Sequence, residues 1–233
     1  MCGRFVQLTP PAAVAALFCI DGATGLPNVP PRYNAAPTQD LMVIRRHPDS
    51  GARHLDLMRW GLVPSFAPDM SGGAKLINAR AETAPSKPTF RAAWKARRCI
   101  VPADFFYEWK AVEGRRQPFL IARADGRPMA FAGLWEGWRD PATGLWQRTF
   151  TILTCAADPA LVPLHERMPV ILGEEDIAAF LEAPDPRDLM RPFPGLVLRP
   201  VSARVNAVRN DDADLLAPLP PAEAEAALAQ LSA

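Results

Sequence analysis

The chain has 233 residues, 49% hydrophobic and 22% charged, with a formal net charge of +1. That composition sits near the average of globular proteins and excludes a disordered tail, a collagen-like fibre and a coiled coil. No apolar run reaches the ~20 residues of a membrane-spanning helix, and the stretch from Ala12 to Ile20 is too short. Met1 to Phe5 has no basic segment followed by an apolar one, so no secretory signal is read and the expected compartment is the cytoplasm.

Charge is unevenly distributed. Residues 1–110 hold 14 Lys/Arg against 8 Asp/Glu, and residues 111–233 hold 12 against 17. A basic first half fits a polyanionic partner, and it equally fits a solvated face. The four cysteines, Cys2, Cys19, Cys99 and Cys155, form no C-x-x-C pair and no zinc-type cluster. Free thiols are expected, with no metal and no organic cofactor. The 26 prolines are scattered, which predicts short elements joined by long ordered loops.

In chain order, residues 1–5 read as extended. Thr9 is placed to cap a helix with Pro10 at its first position, ending near Cys19. Asp21 to Gln39 reads as loop. Leu41–Arg46 and His54–Trp60 alternate like strands around the turn Pro48-Asp49-Ser50-Gly51, which predicts a hairpin. A second loop covers Gly61 to Leu76. Thr89 is placed to cap a helix through Arg98 with Trp94 inward. Cys99–Val101, Phe105–Lys110, Phe119–Arg123, Met129–Trp138 and Gln147–Thr154 read as strands, with a turn at Asp125-Gly126. A helix is expected from Glu174-Glu175-Asp176 to Glu182, a strand over Leu196–Val201 and an alanine-rich helix over 221–231. Strands outnumber helices without regular β-α alternation. The expected fold is α+β: a mostly antiparallel, curled barrel-like sheet with a few peripheral helices, in a single domain over 1–233.

Cys2 carries the sharpest chemical signal. Initiator methionine is usually removed before a small residue, which would leave a terminal cysteine. That residue bears an α-amine and a thiol on adjacent carbons. The amine has a pKa of about 7.7–8.0, against about 10.4 for lysine, so a useful fraction is a neutral nucleophile at pH 7. It condenses with an aldehyde to an imine and releases water. The thiol then adds across the C=N bond and closes a thiazolidine. Taken alone, Cys2 is equally readable as a small residue at a frayed end.

The motifs around it resemble those of the SRAP family (SOS-response-associated peptidases, or abasic-site processing proteins). They are Met1-Cys2-Gly3-Arg4-Phe5, Arg32-Tyr33-Asn34-Ala35-Ala36-Pro37-Thr38, Arg59-Trp60-Gly61-Leu62-Val63-Pro64 and Ile77-Asn78-Ala79-Arg80-Ala81-Glu82-Thr83. Further on come Arg98-Cys99-Ile100-Val101-Pro102-Ala103-Asp104, Phe106-Tyr107-Glu108-Trp109-Lys110, His165-Glu166-Arg167-Met168-Pro169 and Val201-Ser202 with Val205-Asn206. Together they cover about residues 1–216.

The resemblance implies a protein of the DNA damage response. It would bind single-stranded DNA containing abasic sites, replication-fork junctions included, and crosslink to the ring-opened deoxyribose through Cys2. Autopeptidase and abasic-site lyase activities are implied as side activities. Glu108 matches the family's catalytic glutamate, His165 the histidine that acts on the sugar oxygen, and Asn78 the asparagine that holds Cys2 and the sugar. Arg4 and Arg80 match phosphate contacts, with Lys87 and Arg91 in the same basic stretch. Trp60, Phe66 and Pro37 are candidates for a base platform or wedge. A monomer is expected, nucleoid-associated when bound to DNA.

Each residue has a second reading. Glu108 between aromatics also suits a core ion pair, His165 and Asn78 suit loop and turn roles, and a tryptophan is commonly core. Phe66 replaces the usual tryptophan, Phe105 stands where glycine is expected, and Glu166 replaces aspartate. A bulky Phe105 cannot easily take a positive φ, so an altered backbone is expected beside Glu108. Two other functions fit an N-terminal cysteine: a class II glutamine amidotransferase-like amidohydrolase, and a non-catalytic single-strand-binding module. Glutamine hydrolysis would mark the first. Equal affinity for abasic and intact strands without a covalent product would mark the second.

Overall fold

The structure is a computed structural model that describes residues 2–20, 25–112 and 114–231. Met1 and residues 21–24 of the expected first loop lie outside the described residues. The chain begins with strand β1 (Phe5–Gln7) and helix α1 (Pro11–Leu17). Next come β2 (Arg32–Ala35), β3 (Asp40–Arg46), β4 (Arg53–Trp60), β5 (Asn78–Arg80) and α2 (Pro88–Ala96). β6 (Arg98–Ala103), β7 (Phe105–Val112), β8 (Arg115–Arg123), β9 (Met129–Arg139) and β10 (Trp146–Ala156) follow. The last third adds β11 (Arg167–Pro169), β12 (Ile171–Leu172), α3 (Asp176–Glu182), β13 (Leu196–Pro200) and α4 (Pro221–Ala229).

Two sheets form. One is antiparallel, in the order β13-β8-β7-β1-β2. In the other, β10-β4-β3-β6-β9 runs in sequence, and β9 pairs back onto β10 to close a five-strand ring. The expected barrel-like α+β fold is therefore present, with parallel pairing only where β10 meets β4 and β5. Closure removes the free strand edges that would otherwise need protection. Phe131, Phe150, Trp60, Ile44 and Ile100 belong to one buried cluster, which extends to Phe5 and Phe106 of the other sheet. Gln7 ties the sheets together: its amide donates to the carbonyls of Met42 (3.0 Å) and Pro102 (2.8 Å) and accepts from the Met42 N–H.

Several local expectations are corrected. Thr9 does not cap α1. Its hydroxyl and N–H both bond Asp104, and Pro10 holds the cap position. Lys87, not Thr89, precedes α2, which stops at Ala96. Arg98 opens β6 instead, and its guanidinium donates to the carbonyls of Trp94, Phe180, Leu181 and Ala183, filling acceptors at the ends of α2 and α3. The Asp21–Gln39 loop contains β2, a strand whose alternation is obscured because Asn34 is buried and bonds the carbonyls of Val205, Ala207 and Asn210. β5 sits in the segment after the second loop. Phe105 is ordinary strand, paired with Val6. Among the described residues only Cys19 and Thr38 have positive φ outside glycine, so no distortion arises at Phe105.

Trp60 is also corrected. It is 0% exposed, stacks on Phe150 (6.2 Å, 7°), meets Phe5 edge-on and donates from its indole to the Ile77 carbonyl at 2.9 Å. A ring packed on both sides offers no face to a DNA base. It is the core brace under β5. Trp60→Ala should lower unfolding free energy by about 3–5 kcal/mol, as large aromatic truncations do, read as a lower urea midpoint.

Candidate active site

Cys2 lies just before β1 and is fully buried. The chain enters the space between the two sheets there, because Phe5 and Val6 of β1 are both core residues. Burial pushes the Cys2 thiol well above its usual range, so the sulfur is a neutral thiol at rest. The thiol donates to the Arg4 carbonyl at 3.8 Å.

Asn78 opens β5, which β10 holds in register by pairing Ile152 with Asn78. The Asn78 amide donates to the Cys2 carbonyl at 2.8 Å. Its side-chain oxygen is buried with no hydrogen-bond partner, an acceptor left available beside Cys2. Asn78 is thus a strand residue, and its turn-forming alternative does not apply.

Glu108 projects from the middle of β7, opposite Phe119 of β8. Burial raises its carboxyl above the ordinary glutamate value. His165 follows a turn over 158–164. That turn is tied to β7 by Lys110, whose ammonium donates to the Pro163 carbonyl (3.1 Å). The His165 Nδ1 accepts from the Arg167 N–H at 2.9 Å, so a neutral ring carries its proton on Nε2. Partial burial lowers the His165 pKa and favours that neutral ring. Arg167 in turn makes a two-pronged pair with Glu82 (2.6 and 2.8 Å), joining the histidine turn to the segment after β5.

Glu108 and His165 line a single cleft of about 550 Å³ together with Gly3, Arg4, Trp109, Arg116 and Asn206. Gly3 of the lining follows Cys2 directly in the chain, and the side-chain amide of Asn78 holds the Cys2 carbonyl beside it. The cleft therefore joins a buried acid, a neutral imidazole and the start of the chain. Among the described residues, no group of three or more His, Cys, Asp and Glu is arranged to hold a metal. No described helix is long and apolar enough to cross a membrane.

The remaining candidates distribute more widely. Arg4 lines the cleft, and its Nη1 donates to Asn34 Oδ1 (3.0 Å) and the Val205 carbonyl (3.1 Å). Arg80 is exposed at the end of β5, and Lys87 and Arg91 are exposed at the start of α2; none lines the cleft. Phe66 is 70% exposed on a loop that Trp138 fastens through its indole to the Ala67 carbonyl (2.8 Å). Pro37 is half-buried between β2 and β3. Glu166, the departure beside the histidine, is exposed. Sequence reasoning gave no role to Trp109, Arg116 or Asn206. Trp109 and Asn206 stood inside motif blocks, whereas Arg116 had no motif to mark it.

These features can be compared with known proteins. The sequence model described as SOS response associated peptidase (SRAP) matches residues 1–208. The abasic site processing protein YoqW of Bacillus subtilis is 37% identical over 224 residues, 93% of this chain and 99% of its own. The abasic site processing protein YedK of Escherichia coli is 33% identical over 230 residues, 94% of this chain and 100% of its own. A crystal structure of a protein from Bacteroides thetaiotaomicron superposes with a TM-score of 0.82 at 22% identity, covering 94% of this chain and 100% of that one. That likeness concerns the fold.

The raised carboxyl of Glu108 has a stability consequence. A group whose folded pKa exceeds its unfolded value supports the fold below the unfolded pKa and loses that support as pH rises through the folded pKa. Glu108→Gln should therefore melt higher than the parent at pH 8, by around 2–4 °C if ~1 kcal/mol is relieved. The gap should shrink below pH 4, and a melting series across pH checks it.

Proposed function

The chain belongs to the SOS response associated peptidase (SRAP) family, and from that premise we propose that it processes abasic sites in single-stranded DNA by covalent capture at Cys2. The observation that supports this reading is the cleft in which Glu108 and His165 meet the start of the chain, with Asn78 bonded to Cys2.

An abasic deoxyribose is mostly a closed hemiacetal. Its ring opens when the ring oxygen receives a proton and the anomeric hydroxyl loses one. A neutral His165 with its proton on Nε2 is suited to donate to the ring oxygen. Removal of Met1 frees the α-amine of Cys2, which attacks the aldehyde carbon. The carbinolamine loses water to become an imine, and the thiol closes the ring by adding across C=N. Sulfur bonds to carbon, its proton passes to nitrogen, and one water is released overall.

Glu108 is the group suited to move protons at nitrogen. Its raised pKa brings it nearer to that of the amine, so it can accept a proton from the ammonium and return it to the carbinolamine hydroxyl as water leaves. The neutral thiol suits the last step, because it delivers its own proton as the ring closes. Asn78 holds the Cys2 carbonyl and keeps one acceptor for a sugar hydroxyl. The imine also acidifies the adjacent C–H, so strand cleavage by β-elimination is a side reaction. Autopeptidase action would be confined to releasing Met1.

DNA is held by charge and stacking. Arg4, Arg80, Lys87 and Arg91 are the proposed phosphate contacts, and Phe66 and Pro37 the proposed platform and wedge. The absence of a base-edge code in this set makes recognition one of shape and lesion. The protein would act as a single-domain monomer in the cytoplasm, nucleoid-associated when bound.

The test is a denaturing gel with abasic and intact oligonucleotides, beside intact mass to establish loss of Met1. A heat-stable band only with the abasic strand is expected. Cys2→Ala should abolish it. Glu108→Gln and His165→Ala should slow it by about 10²–10⁴-fold, the usual contribution of a positioned acid or base. The initial rate should rise with pH toward the amine pKa of about 8. A full-rate band from Cys2→Ala would overturn the reading.

A further inference from the structure

One wall of the cleft holds a cation that the capture chemistry does not use. The β7–β8 hairpin pairs Ala111 with Arg116 and Trp109 with Pro118, so Arg116 and Trp109 share one face. A short helical turn over Ala203–Asn206 packs beside that face. Asn206 bridges the two residues. Its side-chain oxygen accepts from the Trp109 indole at 2.6 Å, and its amide donates to the Arg116 carbonyl at 3.3 Å. Val205 of the same turn accepts from Arg4.

Arg116 is exposed, lines the cleft and acts on Glu108 through its charge at longer range than a direct ion pair. Arg4, the other guanidinium of the cleft, is half-buried and has Nη1 committed to Asn34 and Val205. Glu108 stands on β7 of the same hairpin, its carboxyl made harder to ionise by burial and eased back by the charge of Arg116, and burial favours the neutral ring of His165. The lining thus carries two guanidiniums against one carboxyl. A phosphodiester entering it meets an exposed planar fork on a backbone anchored at its carbonyl.

We propose that Arg116 is a phosphate-binding residue of the cleft, held in place by Asn206, that grips the DNA backbone beside the captured sugar. This rests on the DNA-capture reading above. Arg116 takes no part in the covalent steps. Its task is to hold the strand while the sugar opens, and Asn206 acts through it as a positioning residue.

The experiment uses the full chain with a fluorescein-labelled oligo-dT strand lacking any lesion, titrated between 50 and 200 mM NaCl, and the same strand with one abasic site for crosslinking. One lost phosphate contact reduces the slope of log K against log salt by about 0.7 for single strands. Arg116→Gln should show that reduction, with affinity several-fold weaker at low salt. Crosslinking should slow at subsaturating DNA and recover at saturation. Arg116→Lys should retain the slope, and Asn206→Ala should weaken binding while keeping most of it. A wild-type slope and affinity in Arg116→Gln would overturn the proposal. Arg116→Gln matching the parent while the parent crosslinks leaves capture standing and removes Arg116. A changed slope in a parent that never crosslinks leaves Arg116 standing and removes capture.

Discussion

The hydrogen bond from Asn78 to the Cys2 carbonyl is the contact on which the site depends. It joins a short strand of the barrel to the segment that leads into the second sheet. Several neighbouring segments are tied to the same strand. β10 sets the register of Asn78, and Trp60 bonds the residue before it. Arg167 and Glu82 carry the same segment over to the histidine turn. Remove the Asn78 bond, and the two sheets still pack through Phe5, Trp60 and Phe131, but the Cys2 carbonyl loses its direct tie to β5.

Burial then does the electrostatic work. Glu108, His165 and Cys2 all sit where a charged form is penalised, and each responds in its own direction. The acid becomes harder to ionise, the imidazole harder to protonate, and the thiol harder to deprotonate. The result is a site whose thiol and imidazole favour their neutral forms and whose carboxyl is harder to ionise than an ordinary glutamate. On the proposed reading, the charge that attracts a polyanion comes instead from arginines at the cleft and on the surrounding surface.

Much of this was legible in the residues. The β3–β4 hairpin, the strands β9 and β10, the helix beginning near Asp176 and the barrel-like sheet follow from alternation and turn chemistry. What was hidden follows a common cause: polar side chains satisfied by distant backbone. Asn34 in β2 looks like a loop residue because its partners lie near residue 207. Arg98 looks like a helix end because its carbonyl partners belong to α2 and α3. Trp60 was eligible as a base platform, since nothing local reveals that Phe150 covers it. Arg116 could not be found from its neighbours, because it reaches the cleft through hairpin register and a contact with Asn206, 90 positions away.

Full enclosure of Cys2 would set a clock on the maturation that the proposed capture requires. Two of the groups that act on it, Asn78 and Glu108, leave the ribosome well after it does. At about 5–20 residues per second, some five seconds or more separate the emergence of the terminus from that of Glu108. On the proposed reading, an aminopeptidase would have that interval in which Cys2 is not yet enclosed. Polypeptide that kept its first methionine would carry an acylated nitrogen at Cys2, so the yield of active molecules would be decided by how completely an exopeptidase trims the chain.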